Sequence, residues 1–290
     1  MSEGNEQMRV AALSLHGIRM DSSKNYRSDL TDLLQKSNAA AAVIPAFSSL
    51  ALGLGTGRIS AGASFAETVR AAADSGSDWQ EEFLALHSEL ARDNGLFLTA
   101  GTVYERENDR IYHTLCCFDP AGNLCCRQRQ IHLTRFEREQ GLSRGEELIL
   151  FDLHGLQAGL VVGIDARHPE VGRGFALLGA DILLHSGALK GELNCWPQAA
   201  GMWAQVQQNQ FWAVEALFCG RIGRTDFAAD SAVIGPCEIT PGQSGYLARG
   251  YPHTPFICAN LEMEDLYRIR RDYPLLKMLN PQAYREDLFV

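Results

Sequence analysis

Apolar runs of strand length alternate with helix-periodic segments along nearly the whole of this 290-residue chain, which restricts it to layered α/β architectures. Residues 9–15 form a short apolar run. Tyr26, Leu30, Leu33 and Leu34 then recur at helical spacing, and residues 39–44 make a buried-strand run ending at Pro45. Residues 60–74 are alanine-rich and helix-compatible. Trp79, Phe83, Leu86 and Leu90 mark an amphipathic helix stopped by Asn94-Gly95. Strands are predicted over 96–104, 111–118 and 124–130, the last two joined by the turn Asp119-Pro120-Ala121-Gly122. Beyond Gly145, strands over 157–164 and 180–185 enclose a helix over 169–179. Residues 203–210 lead into an apolar run over 211–218, runs at 231–235 and 256–261 follow, and a helix is predicted over 264–273. The hairpin at Asp119 implies mixed rather than purely parallel sheets. No repeat, linker or composition shift divides the chain, so one domain is expected over 9–290, behind a disordered leader over 1–8.

Composition excludes several classes of function. Apolar residues make up 46% and charged residues 21%, enough for a sizeable core. The charge balance of 26 basic against 35 acidic residues, net −9, argues against a nucleic-acid footprint. No run of 18 apolar residues exists to span a membrane, and the polar, acidic start lacks the features of a secretory signal, so a cytoplasmic location is expected. Eight cysteines are too dilute for a disulfide scaffold. Cys116-Cys117 and Cys125-Cys126 sit on strands, where neighbours face opposite ways, so each pair should split between core and outside. Their spacing lacks the CxxC pattern of a zinc knuckle, and no metal and no cofactor are expected.

Two blocks carry more information: Gln130-Ile131-His132-Leu133, and residues 159–170, which contain Gly163-Ile164-Asp165-Ala166-Arg167-His168-Pro169-Glu170. They resemble two signature blocks of the nitrilase (carbon–nitrogen hydrolase) superfamily. Other pieces fall in the same order: Asn25, Ile44-Pro45, Gly101 with Tyr112, the Asp119 turn, Gly179-Ala180-Asp181, Gln208-Asn209 and Arg271-Asp272-Tyr273-Pro274. The resemblance covers nearly the whole chain. It implies an α-β-β-α sandwich with mixed sheets, whose subunits pair into four layers. It also implies chemistry in which a cysteine thiolate attacks an amide or nitrile carbon, a glutamate acts as base and a lysine steadies the tetrahedral intermediate.

At those three positions this chain has Ala46 for glutamate, Gln130 for lysine and Gly163 for cysteine. Ala46 cannot exchange a proton, a function typically worth about 10²–10⁴-fold. Gln130 keeps donors without the charge, and Gly163 has no side chain to form a thioester. The parts of such a site act as a unit, so no catalytic residue is expected and the reading is a pseudoenzyme that works by binding. The vestigial pocket is expected to draw on Glu139 (with Glu137 as rival, since the loop length is open), Ile164, Asp165, His185, Ser186 and Cys195.

Alternatives remain. Cys195 with His185 and Lys190 could assemble a relocated thiol nucleophile for an amide or nitrile hydrolase or an acyl-transfer enzyme, or the chain could serve as a structural subunit of an assembly. Asp165, Arg167, Pro169 and Glu170 read as a capping and salt-bridge set, and His132 as a hydrogen-bonded structural residue. His113 replaces the family's usual asparagine and His168 an aromatic. Gly53-Leu54-Gly55-Thr56-Gly57-Arg58 lacks the Gly-Lys-Ser/Thr ending of a phosphate loop and reads as a flexible loop, and Trp196, Trp203 and Trp212 as packing anchors. The expected partners are a small-molecule ligand and further subunits, either copies of this chain in a homodimer or higher oligomer or an active homologue in a hetero-oligomer. Neither nucleic acid nor membrane is expected.

Overall fold

The computed structural model describes residues 7–62, 64–74, 77–251 and 253–283. One six-stranded sheet comprises β1 (Gln7–Leu13), β2 (Ala41–Val43), β3 (Phe97–Glu107), β4 (Arg110–Phe118), β5 (Leu124–Arg129) and β14 (Phe256–Glu262), in the order β14-β1-β2-β3-β4-β5. The other comprises β6 (Leu150–Leu153), β7 (Leu156–Val162), β8 (Ile182–Ala188), β9 (Trp212–Phe218), β12 (Ala232–Ile234) and β13 (Tyr246–Arg249), in the order β13-β12-β9-β8-β7-β6. A small hairpin, β10 (Gly220–Ile222) and β11 (Thr225–Phe227), stands apart from both. In each sheet three central strands pair in parallel and the flanking strands antiparallel, the mixed arrangement that the hairpin at Asp119 implied.

Layering follows from which face each strand buries. Val10, Ala12, Val43 and Cys117 of the first sheet meet Leu160, Val162, Leu184 and Val214 of the second in a shared inner core. Alternate residues of the first sheet, including Ala11, Leu13, Ala42 and Leu98, pack beneath α1 (Ser23–Ser37), α2 (Ser48–Gly55), α3 (Phe65–Asp74) and α4 (Ser77–Asn94). Val161, Leu183 and Ala213 of the second pack beneath α6 (Pro169–Leu178) and α8 (Ala204–Asn209). The result is an α-β-β-α sandwich. Both faces of each sheet are covered, which is why the central strands read as unbroken apolar runs rather than alternating ones. Short helices α5 (Arg135–Glu139) and α7 (Cys195–Gln198) and the longer α9 (Met263–Asp272) complete the description.

Several expectations need correction. Gln7 and Met8, assigned to the leader, belong to β1 and pair with Glu262 and Leu261; the rest of that leader lies outside the described residues. Cys116 and Cys117 are both buried, one under the helices and one between the sheets, because the sheet has no outside face there. The first half of the glycine-rich stretch expected to be a flexible loop, Gly53 to Gly55, is the end of α2. A Cβ on Gly53 would come within 2.4 Å of Ile59 Cδ1, and one on Gly55 within 2.1 Å of Met20 O, so these glycines serve close packing. The strand expected over 157–164 stops at Val162, and a 3₁₀ turn, Gly163–Arg167, follows it.

Candidate functional site

A cavity of about 470 Å³ opens where the parallel strands of both sheets end. From the first sheet it takes Ala46 and Phe47, just past β2, together with Tyr104 of β3 and His113 of β4. From the second it takes the 3₁₀ turn at Gly163, His185 of β8, and Glu215 and Leu217 of β9. Phe65, Phe136 and Phe227 close an aromatic side, and Arg167 and Lys190 line the same cavity.

The turn after β2 is held in an unusual state. Phe47 adopts φ +63°, a conformation an L-residue enters only when its surroundings enforce it. Its N–H donates to Thr102 Oγ1 (3.0 Å), while the neighbouring Ile44 N–H donates to Thr99 Oγ1 (3.0 Å). Ser186 Oγ of the opposite sheet donates to Ile44 O at 2.6 Å, tying the two sheets together beside the cavity. Phe47 thereby stacks over His113, with ring centroids 6.0 Å apart and planes 13° apart, and Tyr104 stacks on His113 at 4.7 Å and 8°.

Gln130 is buried and fully bonded. Its Nε2 donates to His132 O (2.5 Å) and Glu137 Oε2 (3.0 Å), and both partners are acceptors, which fixes the orientation of the amide. Its Oε1 then accepts from His113 Nδ1 at 2.6 Å. With its proton on Nδ1, His113 presents Nε2 as an acceptor, and this atom is buried without a partner among the described residues. Burial drives the pKa of His113 down, only partly opposed by Glu137 and the Gln130 hydrogen bond, so the imidazole stays neutral. Burial also raises Tyr104 well above its ordinary value, with the charge of Glu137 adding to the effect.

Glu137, not Glu139, is the glutamate of the cavity. Glu137 Oε2 accepts from Thr134 N–H (2.7 Å) and Thr134 Oγ1 (2.8 Å) at the start of α5, whereas Glu139 points outward and pairs with Arg135 at 2.7 Å. The signal was in the sequence. Thr134-Arg135-Phe136-Glu137 is a capping box, which places Glu137 on the first turn of a helix and turns its carboxylate back toward the chain.

The other expected pocket residues divide. Ile164 and His185 line the cavity; Asp165, Ser186 and Cys195 do not. Asp165 is buried behind it, accepting from the N–H groups of Ile131 (2.8 Å) and His132 (2.7 Å). Cys195 is exposed at the start of α7. His185 Nδ1 stands 2.9 Å from Glu215 Oε2 and its Nε2 3.0 Å from Gly163 O, so both ring nitrogens face acceptors already. Of the trio Cys195, His185 and Lys190, the last two line the cavity and Cys195 does not. Sequence reasoning missed Glu215 and Gln198. Gln198 Nε2 donates to Glu215 Oε1 (3.0 Å) and to Asp230 O, and its buried Oε1 has no partner among the described residues.

Comparison with known proteins places this geometry. The chain is 24% identical over 213 residues to the omega-amidase NIT2-B of Xenopus laevis, spanning 70% of this chain and 75% of that one. It is 23% identical to the mouse omega-amidase NIT2 over 205 residues, 68% and 72% of the two chains. The fold superimposes on a carbon-nitrogen hydrolase from Helicobacter pylori G27 with a TM-score of 0.78 at 20% identity, covering 98% of each chain. It also matches an amidase from Nesterenkonia sp. with a TM-score of 0.71 at 19% identity, covering 94% and 98%. Residues 9–270 match the carbon-nitrogen hydrolase family, and the chain belongs to it.

Proposed function

We propose that this protein binds a small molecule in the cavity and does not perform cysteine-dependent carbon–nitrogen hydrolysis. One observation carries the reading. A Cβ built on Gly163 would meet Gln130 Oε1 at 3.0 Å and His113 Cε1 at 3.7 Å. The Gln130–His113 pair thus crowds the place a nucleophile would need, while about 470 Å³ beside it stays open. Ala46 offers no base there, and the exposed Cys195 lies outside the lining.

The chemistry of the ligand follows from what the wall leaves unsatisfied. Among the described residues, His113 Nε2 and Gln198 Oε1 are buried acceptors without donors, a costly condition that an N–H from a ligand would relieve. The aromatic side supplied by Phe47, Phe65, Phe136 and Phe227 favours an apolar body. A small apolar or aromatic molecule bearing a carboxamide or amine fits both demands, and the amidases among the relatives support the carboxamide. A cytoplasmic location and subunit pairing belong to the same reading. Leu177 and Leu178, 62% and 55% exposed on α6, support a self-association face on the outer helical layer.

The test is a panel of aliphatic and aromatic amides, amines and nitriles followed by calorimetry and by ammonia release. Saturable binding of amides or amines without ammonia, weakened by His113→Phe, is the expected result. Turnover abolished by Cys195→Ala would overturn the reading and return a relocated nucleophile. Absence of both binding and turnover across the panel would overturn the ligand assignment.

A further inference from the structure

Outside the cavity, at the start of α6, the imidazoles of His132 and His168 lie face to face with centroids 3.9 Å apart and planes 8° apart. Glu170 Oε1 stands 3.1 Å from His132 Nε2 and 3.6 Å from His168 Nδ1. On the far side of its ring, His132 Nδ1 is 3.1 Å from Asp165 Oδ1, a buried carboxylate fixed by two backbone N–H groups. The ligand binding proposed above employs none of these side chains.

We propose that His132, His168 and Glu170 form a binding site for a divalent transition-metal ion of the zinc class. Two imidazole nitrogens and a carboxylate oxygen are a donor set suited to such ions and poorly suited to magnesium or calcium, which favour all-oxygen shells. The spacing agrees as well. Ligands about 2.0–2.1 Å from one tetrahedral ion stand about 3.3 Å from each other. The measured 3.1 and 3.6 Å bracket that edge, and all three donor atoms lie within 4.8 Å of one another.

Asp165 supplies the support that such sites depend on. It accepts the Nδ1 proton of His132 and so aims Nε2 at Glu170. Parallel rings keep their lone pairs in separate planes, so binding requires one ring to tilt. His168, with 36% of its side chain exposed against 22% for His132, is the freer of the two. Glu170, 57% exposed, leaves the remaining coordination positions open to water. Binding exchanges the proton on His132 Nε2 for the ion and releases that proton to solvent. The ion ties residue 132 to the first turn of α6 and, through Asp165, stiffens the turn that carries Gly163 and Ile164.

The experiment uses tag-free protein stripped with EDTA and dialysed against zinc or cobalt(II) chloride. One equivalent of metal per chain is expected, with cobalt absorption bands of a nitrogen/oxygen site and a melting temperature that rises with zinc. His168→Phe keeps a ring stacked on His132 and should leave the fold intact, as judged by melting in EDTA. It and Glu170→Gln should each weaken uptake at least about tenfold, the scale on which metal-site shells act. No uptake at about 100-micromolar metal, far above the dissociation constants of structural zinc sites, or uptake weakened less than tenfold in both variants, overturns the site.

Discussion

At the scale of single residues, the site is decided by what Gln130 touches. Its amide satisfies three partners at once, so Gln130→Leu should leave Glu137 and the buried His113 each short of a partner and cost about 1–3 kcal/mol, read from the urea midpoint. Gly163→Ala combines a φ of +52° with a 3.0 Å approach to Gln130 Oε1, and should cost about 1–3 kcal/mol in the same assay. A Gly163→Ala variant as stable as the parent would mean that the turn relaxes freely. Ala46, Gln130 and Gly163 were legible as positions of interest in the sequence because short motifs mark them. The choice between Glu137 and Glu139 was not settled by counting residues, since their separation depends on where α5 begins. Gln198 and Glu215 gave no motif signal. They reach the cavity from separate elements through folding alone.

At the scale of elements, the helical layer over the first sheet contains a pH-sensitive joint. His87 of α4 is fully buried, with Nδ1 donating to Phe83 O (2.7 Å) and Nε2 3.1 Å from the hydroxyl of Tyr26 in α1. Burial lowers its pKa to about 4, only partly opposed by the Phe83 carbonyl. In the unfolded chain the ring takes a proton near pH 6.5, so between pH 6.5 and 4 the unfolded state binds more protons than the folded one. The contribution of His87 is therefore complete above pH 6.5 and lost as pH falls toward 4, by about 3 kcal/mol in all. His113 acts in the same direction. His132 acts oppositely: the Asp165 hydrogen bond raises its pKa, so its contribution is full below pH 6.5 and fades as pH rises through the raised value. Thermal unfolding of the parent and of His87→Gln across pH 4–7 checks this, and the variant should show the shallower acid slope. The sequence showed α1 and α4 through their periodic apolar residues. It did not show α2, whose glycines look like breakers but are required by the close approach of Ile59 and Met20.

For the whole molecule, the cavity matters because both sheets build it. A ligand held there binds only when the sheets are docked, so a hundredfold excess over Kd should add about 2.7 kcal/mol. In a chain of this size that raises a single unfolding transition by roughly 4 °C. Differential scanning calorimetry would detect this, and two separate transitions, of which only one moves, would contradict it. Replacing Leu177 and Leu178 with glutamine should shift light-scattering mass toward the monomer if α6 is the pairing face, and no change would exclude that face. The alternating pattern made the layered class legible, and the resemblance supplied the sandwich. Strand order, register and the meeting of the two sheets were not legible, because they depend on contacts between residues far apart in sequence. Ser186 and Ile44, 142 positions apart, are one example.

The Gln130 amide also constrains change in this protein. Placing a side chain at 163 sets it against Gln130 Oε1, while exchanging Gln130 first removes the acceptor that fixes the proton of His113 on Nδ1. Either substitution alone disturbs a contact that involves the other position, so their effects should not add. A thiol at this turn therefore calls for an accompanying change at 130, so the two positions are coupled in what they can become.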